Sequence, residues 1–557
     1  MLGDDPHKNE TTLSLREQAE TVLRLASPEE RLKLLLDAPK PMALVRTLPD
    51  ADFHLTVREI GPQDALPLLA LASSPQIAHL LDLEGWRGDR IDPTRFGAWV
   101  ALLAESGEAT LRRFARSADD ETLILLFHGW LHVRPLEIDH EEPTRGHGVT
   151  EAGDERGFVA PDGSHLFAPE HTEHAPAGRR LAEILFLDDQ ARYLGIVRSA
   201  LFELPSEVEE EALRWRNSRL EEHGYPPFEE ALSVYAAPVA RTTAEAASGE
   251  REAAAPRAAL RSLRRDNAVV AAIDLLTPGE RERVLEGLTN VAHRVLVADG
   301  ADPGSLDAQR AVLLRAGAYV GIGLERRGAR EPAPAAAVLR TTSPIELFRE
   351  GYAEAASLAA RARALVAALG SDALLDAPLL ARVRALCAPR PQFVAEGDEP
   401  ARDFRTVAEI EETKVTLELC ETLVQALLAR RGTDARRLAA EERRPFEDLP
   451  RFSTLLLTAL AWHAVRGAVR VDRLPQDAVA DFLRIVASRR TADPEAPSRS
   501  MDRLVGVLAA ESSLSRRAAA ALRAFGTTAL DRLAADCANL DPGLPVTPRV
   551  VGSLRLA

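Results

Sequence analysis

Histidine is the side chain that most readily binds a metal or carries a proton near neutral pH. Seven of the thirteen histidines in this chain fall between His128 and His174. His128 and His132 (HGWLH) are four apart, and on a helix they would share a face, the geometry of many zinc pairs. His171 and His174 (HTEH) are three apart in a loop, with Glu170 and Glu173 beside and between them. As ligands, His171 and His174 would hold zinc or another divalent ion and activate a water. The competing reading is a polar surface loop in which each histidine is one solvated residue among many. The metalloprotease pattern HExxH is absent, and His140-Glu141-Glu142 does not reproduce its spacing. No cofactor other than a divalent metal is expected.

A second constellation is basic and aromatic. The run from Leu213 to Pro227 reads LRWRNSRLEEHGYPP: a helix ending at Gly224, followed by Pro226 and Pro227, which prevent its continuation. Trp215, Arg216, Asn217 and Arg219 could present a site for an anion or carboxylate. Alternatively, Arg216 and Arg219 pair with nearby glutamates and Trp215 lies in the core. Trp86 and Asp89, in the run LEGWRGDRI, complete the set of candidate binding residues. Gly321-Ile322-Gly323 superficially suggests a dinucleotide loop. Arg326 stands where the third glycine should be and no strand pattern precedes it, so small residues allowing close helix packing are the better account. Neither a GxxxxGK[ST] phosphate loop nor a GxSxG nucleophile elbow occurs, and a general acid/base pair cannot be picked from 85 carboxylates without geometry.

The elements that must position these residues are mostly helices. Ala, Leu, Arg and Glu dominate while aromatic residues make up only 5%. From residue 12 to 134, short leucine-rich pieces follow a repeated start signal, in Ser27-Pro28-Glu29-Glu30, Leu48-Pro49-Asp50, Gly61-Pro62-Gln63-Asp64, Ser74-Pro75-Gln76 and Asp92-Pro93-Thr94. Proline at a first helical position gives up an amide hydrogen that would be unpaired there anyway. Helices this short cannot stand alone, so they are expected to stack into a superhelical array. Residues 135–179 form a polar, histidine-rich insert, in which 156–160 and 164–167 make a small hairpin about Pro161-Asp162-Gly163. Helices resume over 180–237, residues 238–258 read as a linker, and 259–557 make a larger C-terminal helical domain with starts at Thr277-Pro278 and Ser343-Pro344. The tail, 543–557, is expected to be an extended segment docked on the body. The fold class is all-α in the main.

Bulk properties narrow the partners. The formal charge of −16 disfavours phosphate backbones and anionic lipid, and the only basic run, Arg261 to Arg265, fits a solvated helix face. The longest apolar stretch, near Leu455 to Val465, is interrupted by His463 and is short of the roughly 20 residues of a membrane span. Cys387, Cys420 and Cys537 are far apart and lie in Ala/Leu-rich patterns, as small hydrophobes do in a reducing compartment. The first ten residues are polar and acidic, unlike a signal peptide. A cytoplasmic protein without membrane insertion or nucleic-acid binding is expected.

Several runs together form a fingerprint. Leu48-Pro49-Asp50 with Ile60 to Ala72 (IGPQDALPLLALA), Leu81 to Ile91 (LDLEGWRGDRI), Arg216 to Leu220 (RNSRL), Gly224 to Ala231 (GYPPFEEA) and Gly321 to Glu325 (GIGLE) are similar to stretches of an uncharacterised bacterial family, a domain of unknown function. The resemblance spans most of the chain and implies no catalytic residue. The first 130 residues alone resemble the N-terminal helical domain of MgtE-type magnesium transporters, which implies a superhelix with an acidic, ion-sensing surface. The leading expectation is a non-enzymatic helical scaffold or regulatory protein that binds protein partners. A metal-dependent enzyme using the histidine-rich insert is the second reading, and a divalent-cation sensor on the acidic N-terminal array the third.

Overall fold

The computed structural model describes residues 14–24, 27–136, 157–169, 171–238, 268–370, 372–395, 400–440, 450–487, 495–537 and 552–557. The middle of the insert with His140 and His147, Glu170, nearly all of the expected linker, the Arg261–Arg265 run and residues 543–551 lie outside these. The described residues form 25 α-helices and two small antiparallel sheets, so the protein is mainly all-α. None of these helices is long and apolar enough to cross a membrane. Contacts divide the chain into two compact units, Met1–Gly351 and Tyr352–Ala557.

The first unit begins with nine short helices: α1 (Leu15–Arg24), α2 (Pro28–Leu36), α3 (Pro41–Thr47), α4 (Asp50–Ile60), α5 (Leu66–Leu71), α6 (Ser74–Glu84), α7 (Pro93–Glu105), α8 (Glu108–Ser117) and α9 (Asp120–Gly129). Each packs on the next but one, from α1 on α3 to α7 on α9, so every short apolar face is covered by a neighbour that is not adjacent in sequence. Ser27 and Asp92 cap α2 and α7 with proline at the first position, as their sequences require. Three of the expected starts are displaced, the first by one residue, since Pro49 precedes α4 and Asp50 opens it. Ser73, not Ser74, caps α6, because Gln76 closes a reciprocal capping box with it. Gly61-Pro62 does not open a helix: Gly61, at φ +105°, terminates α4, and α5 begins only at Leu66.

Between α6 and α7, β1 (Trp86–Arg87) and β2 (Arg90–Ile91) form a tight hairpin about Gly88-Asp89. After α9, β3 (Val133–Pro135), β4 (Phe158–Val159) and β5 (His165–Phe167) make a three-stranded sheet with β5 in the centre. The expected hairpin is its β4–β5 half, with Phe158 opposite Phe167 and Val159 opposite Leu166. Helices α10 (Ala175–Asp188), α11 (Gln190–Phe202), α12 (Pro205–Glu222) and α13 (Phe228–Leu232) follow. Beyond residue 268 come α14 (Ala268–Ile273), α15 (Pro278–Ala298), α16 (Leu306–Arg326), α17 (Pro332–Thr341) and α18 (Pro344–Leu369). The Gly321-Ile322-Gly323 stretch lies inside α16. A Cβ on Gly323 would come within 2.2 Å of the Leu347 carbonyl oxygen of α18, which confirms close helix packing in place of a nucleotide loop.

The second unit is built around Phe452–Arg466, which packs against Gln476–Ala487, Ala496–Ser512 and Arg516–Asp536. Leu455, Leu456, Leu460, Met501, Leu504 and Leu533 are completely buried there. The end of the tail is extended and docked: the Leu474 and Ala557 amides donate to the carbonyls of Arg555 and Leu474 at 2.7 and 2.8 Å. Cys420 is buried, and burial pushes its thiol up to about 12, so it behaves as a small hydrophobe; Cys387 and Cys537 are half-buried.

Candidate functional site

Helix α6 buries four polar side chains, Gln76, His79, Asp82 and Glu84. Gln76 donates to the carbonyls of Val45 and Leu48, both at 2.9 Å, and so fixes α6 against the earlier helices. His79, Asp82 and Glu84 follow on the same helix and are all buried. Glu84 accepts from Nε2 of His54 on α4 at 2.9 Å, with Arg58 at 3.2 Å and Arg95 at 3.7 Å. Asp82 is pushed up by burial, opposed by a two-pronged hydrogen bond from Arg219 with both contacts at 2.8 Å.

Arg219 and its neighbours come from α12. Its third contact, 3.0 Å to Asp119, reaches the capping residue of α9, so one guanidinium joins three helices. Arg216 is buried, donates to the carbonyls of Asp82 at 2.8 Å and Gly88 at 3.2 Å, and lies 5.0 Å over the ring of Trp86. Trp86, Arg216 and Arg219 are thus brought together, with Asp89 exposed in the adjoining hairpin turn. Trp215 and Asn217, which flank Arg216 on α12, are both exposed. Both arginines are committed to protein oxygens; the glutamates expected as their partners are replaced by Asp82 and Asp119, from distant helices.

The end of α12 leads to residues the sequence reading did not single out. Gly224, at φ +83°, lets the Tyr225 amide turn back to the Leu220 carbonyl at 3.0 Å. His223 packs against His79 with ring centroids 4.2 Å apart and the planes tilted by 52°, and its Nε2 lies 3.6 Å from Asp50 of α4. Tyr225 stacks on His293 of α15 at 3.9 Å, with the planes 14° apart. His54 and His79 are 6.4 Å apart, edge to face. Four histidines spread over 240 residues of sequence therefore converge in one region, with His54, His79 and His293 buried and His223 half-buried at its edge. A small cavity of about 20 Å³ lies against it, lined by His54, Tyr225, Thr289, His293 and Gln309 among apolar side chains. That is room for about one water. His79 has no hydrogen-bond partner on either ring nitrogen, and His293 none on Nδ1. Burial first, and then the neighbouring imidazoles, hold His79 well below the ordinary histidine value. Burial lowers His293 to about 4, against a hydrogen bond to the Gly224 backbone that works the other way.

The histidine-rich stretch is differently arranged. His128 and His132 do not share a helix face, because α9 ends at Gly129 and His132 adopts φ +49°; His128 faces the Ala200 carbonyl at 3.1 Å. His171 and His174 lie 5.7 Å apart between ring centroids, with His171 Nδ1 3.5 Å from Glu173 and His174 Nδ1 accepting from Trp130 at 3.4 Å. Among the described residues no three His, Cys, Asp or Glu side chains are grouped so as to hold a metal ion.

A family model described as "Family of unknown function (DUF6178)" matches residues 7–557. No curated protein and no solved structure matches the chain, and the resemblance of its first part to MgtE-type transporters gains no support.

Proposed function

The chain belongs to this family of unknown function, and we propose that it is a regulatory helical protein whose first unit docks a protein partner along α10–α13. The observation that carries this reading is where exposed apolar side chains fall. Of the twelve large hydrophobic residues exposed among the described residues, seven lie between Leu187 and Leu232. Leu187 and Phe202 are 75% and 78% exposed, Leu204 is 61%, and Trp215, on the outer side of α12, is 50%. Scattered exposed leucines need no explanation, but this concentration on successive helices does. Tryptophan and phenylalanine dominate binding energy where interfaces have been dissected. On this reading the Arg216 and Arg219 contacts hold α12 in place while Trp215 faces the partner.

The test is capture by the purified full chain from its native host, beside the triple variant Phe202→Ser, Leu204→Ser and Trp215→Ser. A partner retained by the wild type and lost by the variant, with circular dichroism and melting temperature unchanged, supports the reading. Equal capture by both proteins sinks it. Metal binding at His171 and His174 is a separate proposal, checked by elemental analysis of the tag-free protein beside a His171→Ala/His174→Ala variant. About one metal ion per chain in the wild type alone would support it.

A further inference from the structure

The turn joining α12 to α13 is held by imidazoles and their neighbours on three helices. His223 lies on His79 of α6 and beside Asp50 of α4. Gly224 is hydrogen-bonded through its backbone to His293 of α15, and Tyr225 stacks on the same ring. Next to it on α15, Arg294 binds Glu230 of α13 and the Glu230 carbonyl. The turn thus connects two helices that carry Trp215, Phe228 and Leu232, the exposed residues assigned above to docking.

Neutral histidine buried in this way is poorly served. His79 is 1% exposed with both ring nitrogens unpartnered, and His293 is 6% exposed with Nδ1 unpartnered. A polar atom left so costs more than one that reaches water or a partner. We propose that His79 and His293, packed against His223 and Tyr225, form an acid-operated latch, closed on the His223–Tyr225 turn while these two rings with unpartnered nitrogens are neutral and released when they take up protons, which withdraws the α12–α13 docking surface. The last clause rests on the docking reading; the latch itself does not.

The charges around the cluster support the direction of the response. From α4 come His54 and Asp50, from α6 Asp82 and Glu84, from α12 and its end Arg216, Arg219 and His223, and from α15 His293 and Arg294. Three carboxylates are paired with arginine, Asp82 with Arg219, Glu84 with Arg58 and Arg95, and Glu230 of α13 with Arg294, while Asp50 faces His223 at 3.6 Å. On the α16 side the cavity is lined by uncharged Gln309, Val312 and Leu313. A proton arriving on His79 is therefore placed among three other imidazoles, on a ring with no hydrogen-bond partner at either nitrogen. The new imidazolium is best hydrated by opening the turn to water.

Hydrogen–deuterium exchange of the full chain at pD 7.5, 6.0 and 5.0 tests this, read on peptides covering 220–235 and normalised for intrinsic exchange rate. Helix 452–466 of the second unit serves as the control. Opening of the turn should rise about tenfold per pH unit for each histidine released, once the pH falls below the ordinary histidine value near 6.5. The variant His79→Leu/His293→Phe should lose that slope. Because the double change could disturb packing, His79→Leu alone is the second variant, with about a tenfold smaller response per pH unit expected. A turn whose protection ignores pH in the wild type, or one with an unchanged slope in both variants, overturns the latch. A turn that opens in acid while the Phe202/Leu204/Trp215 variant captures its partner normally leaves the latch standing and removes the docking reading.

Discussion

Two kinds of buried polar residue sit a turn apart on α6, and they should respond to mutation with opposite sign. Asp82 is a buried carboxylate whose charge is met by Arg219. Arg219→Ala removes the partner and leaves the carboxylate with one carbonyl-bound arginine nearby. Breaking a buried pair in this way costs roughly 3–5 kcal/mol. Arg219 is a third exposed, so about 3 kcal/mol is expected in urea unfolding. Asp82→Asn combined with Arg219→Gln should recover part of the loss, because neither charge is then left alone. His79 is the converse case. With no partner on either nitrogen, its replacement by leucine removes an unsatisfied polar group, so His79→Leu should be neutral or raise stability at pH 7.5 by about 1–2 kcal/mol. A melting temperature several degrees below wild type would show that His79 is satisfied by a bound water or ligand, and would give that species a structural role.

At the scale of elements, α16 and α18 approach so closely that two glycines are required by space alone. A Cβ on Gly323 would lie 2.2 Å from the Leu347 carbonyl oxygen, and one on Gly351 2.1 Å from that of Tyr319. The clashing atoms are backbone, which cannot turn aside as a flexible side chain would. Gly323→Ala should therefore destabilise the first unit by about 1–3 kcal/mol even though alanine is the better helix former. Gly195→Ala in α11, where nothing lies within 4 Å, is the control and should be neutral or slightly stabilising. The same distinction between local and distant causes governs how far the elements could be read in advance. Ser27-Pro28, Asp92-Pro93 and Ser343-Pro344 mark helix starts through atoms a few residues apart, and those starts are where the residues place them. Pro161-Asp162-Gly163 marks its hairpin for the same reason. β3, in contrast, pairs with β5 across some thirty positions, and the Trp86–Ile91 hairpin is two residues per strand, too short for any alternation to register. The site was less legible still. Arg216 and Arg219 stood out by composition, but their partners Asp82 and Asp119 are more than ninety residues away. His54, His79, His223 and His293 are isolated in sequence, each indistinguishable from an ordinary core or surface histidine until the helices stack. The run between His128 and His174 stands out by its number of histidines and by the four- and three-residue spacings within it, which are local features.

For the whole molecule, the buried histidines set a sign for the effect of acid. His79 and His293 bind no proton in the folded state near pH 6, while in the unfolded chain they titrate near their ordinary value of about 6.5. Below that pH the unfolded state holds more protons, so stability falls as pH falls. Each such histidine contributes about 1.4 kcal/mol per pH unit until its folded value is reached, which for His293 is about 4, making roughly 3 kcal/mol from that residue. Asp50 and Asp82 work the other way. Burial raises both, the effect of His223 or Arg219 notwithstanding, so the folded state takes up their protons before the unfolded state does. As pH falls into the carboxylate range they return some stability. The expected curve for the first unit is therefore level above about pH 7, steepening as the pH falls through about 6.5 and the unfolded histidines take up protons, and shallower once the carboxylate range is reached. Urea unfolding at half-unit pH steps, followed by hydrogen exchange in peptides from each unit separately, measures it. His79→Leu should lower the steep slope by about 1.4 kcal/mol per pH unit, and His79→Leu/His293→Phe should leave only the shallow carboxylate response. A wild-type curve that stays level from pH 7 to 5 would mean that both imidazoles titrate alike in the folded and unfolded chain. The buried cluster would then have to be open to water, and the turn at His223 could not be locked by neutral rings.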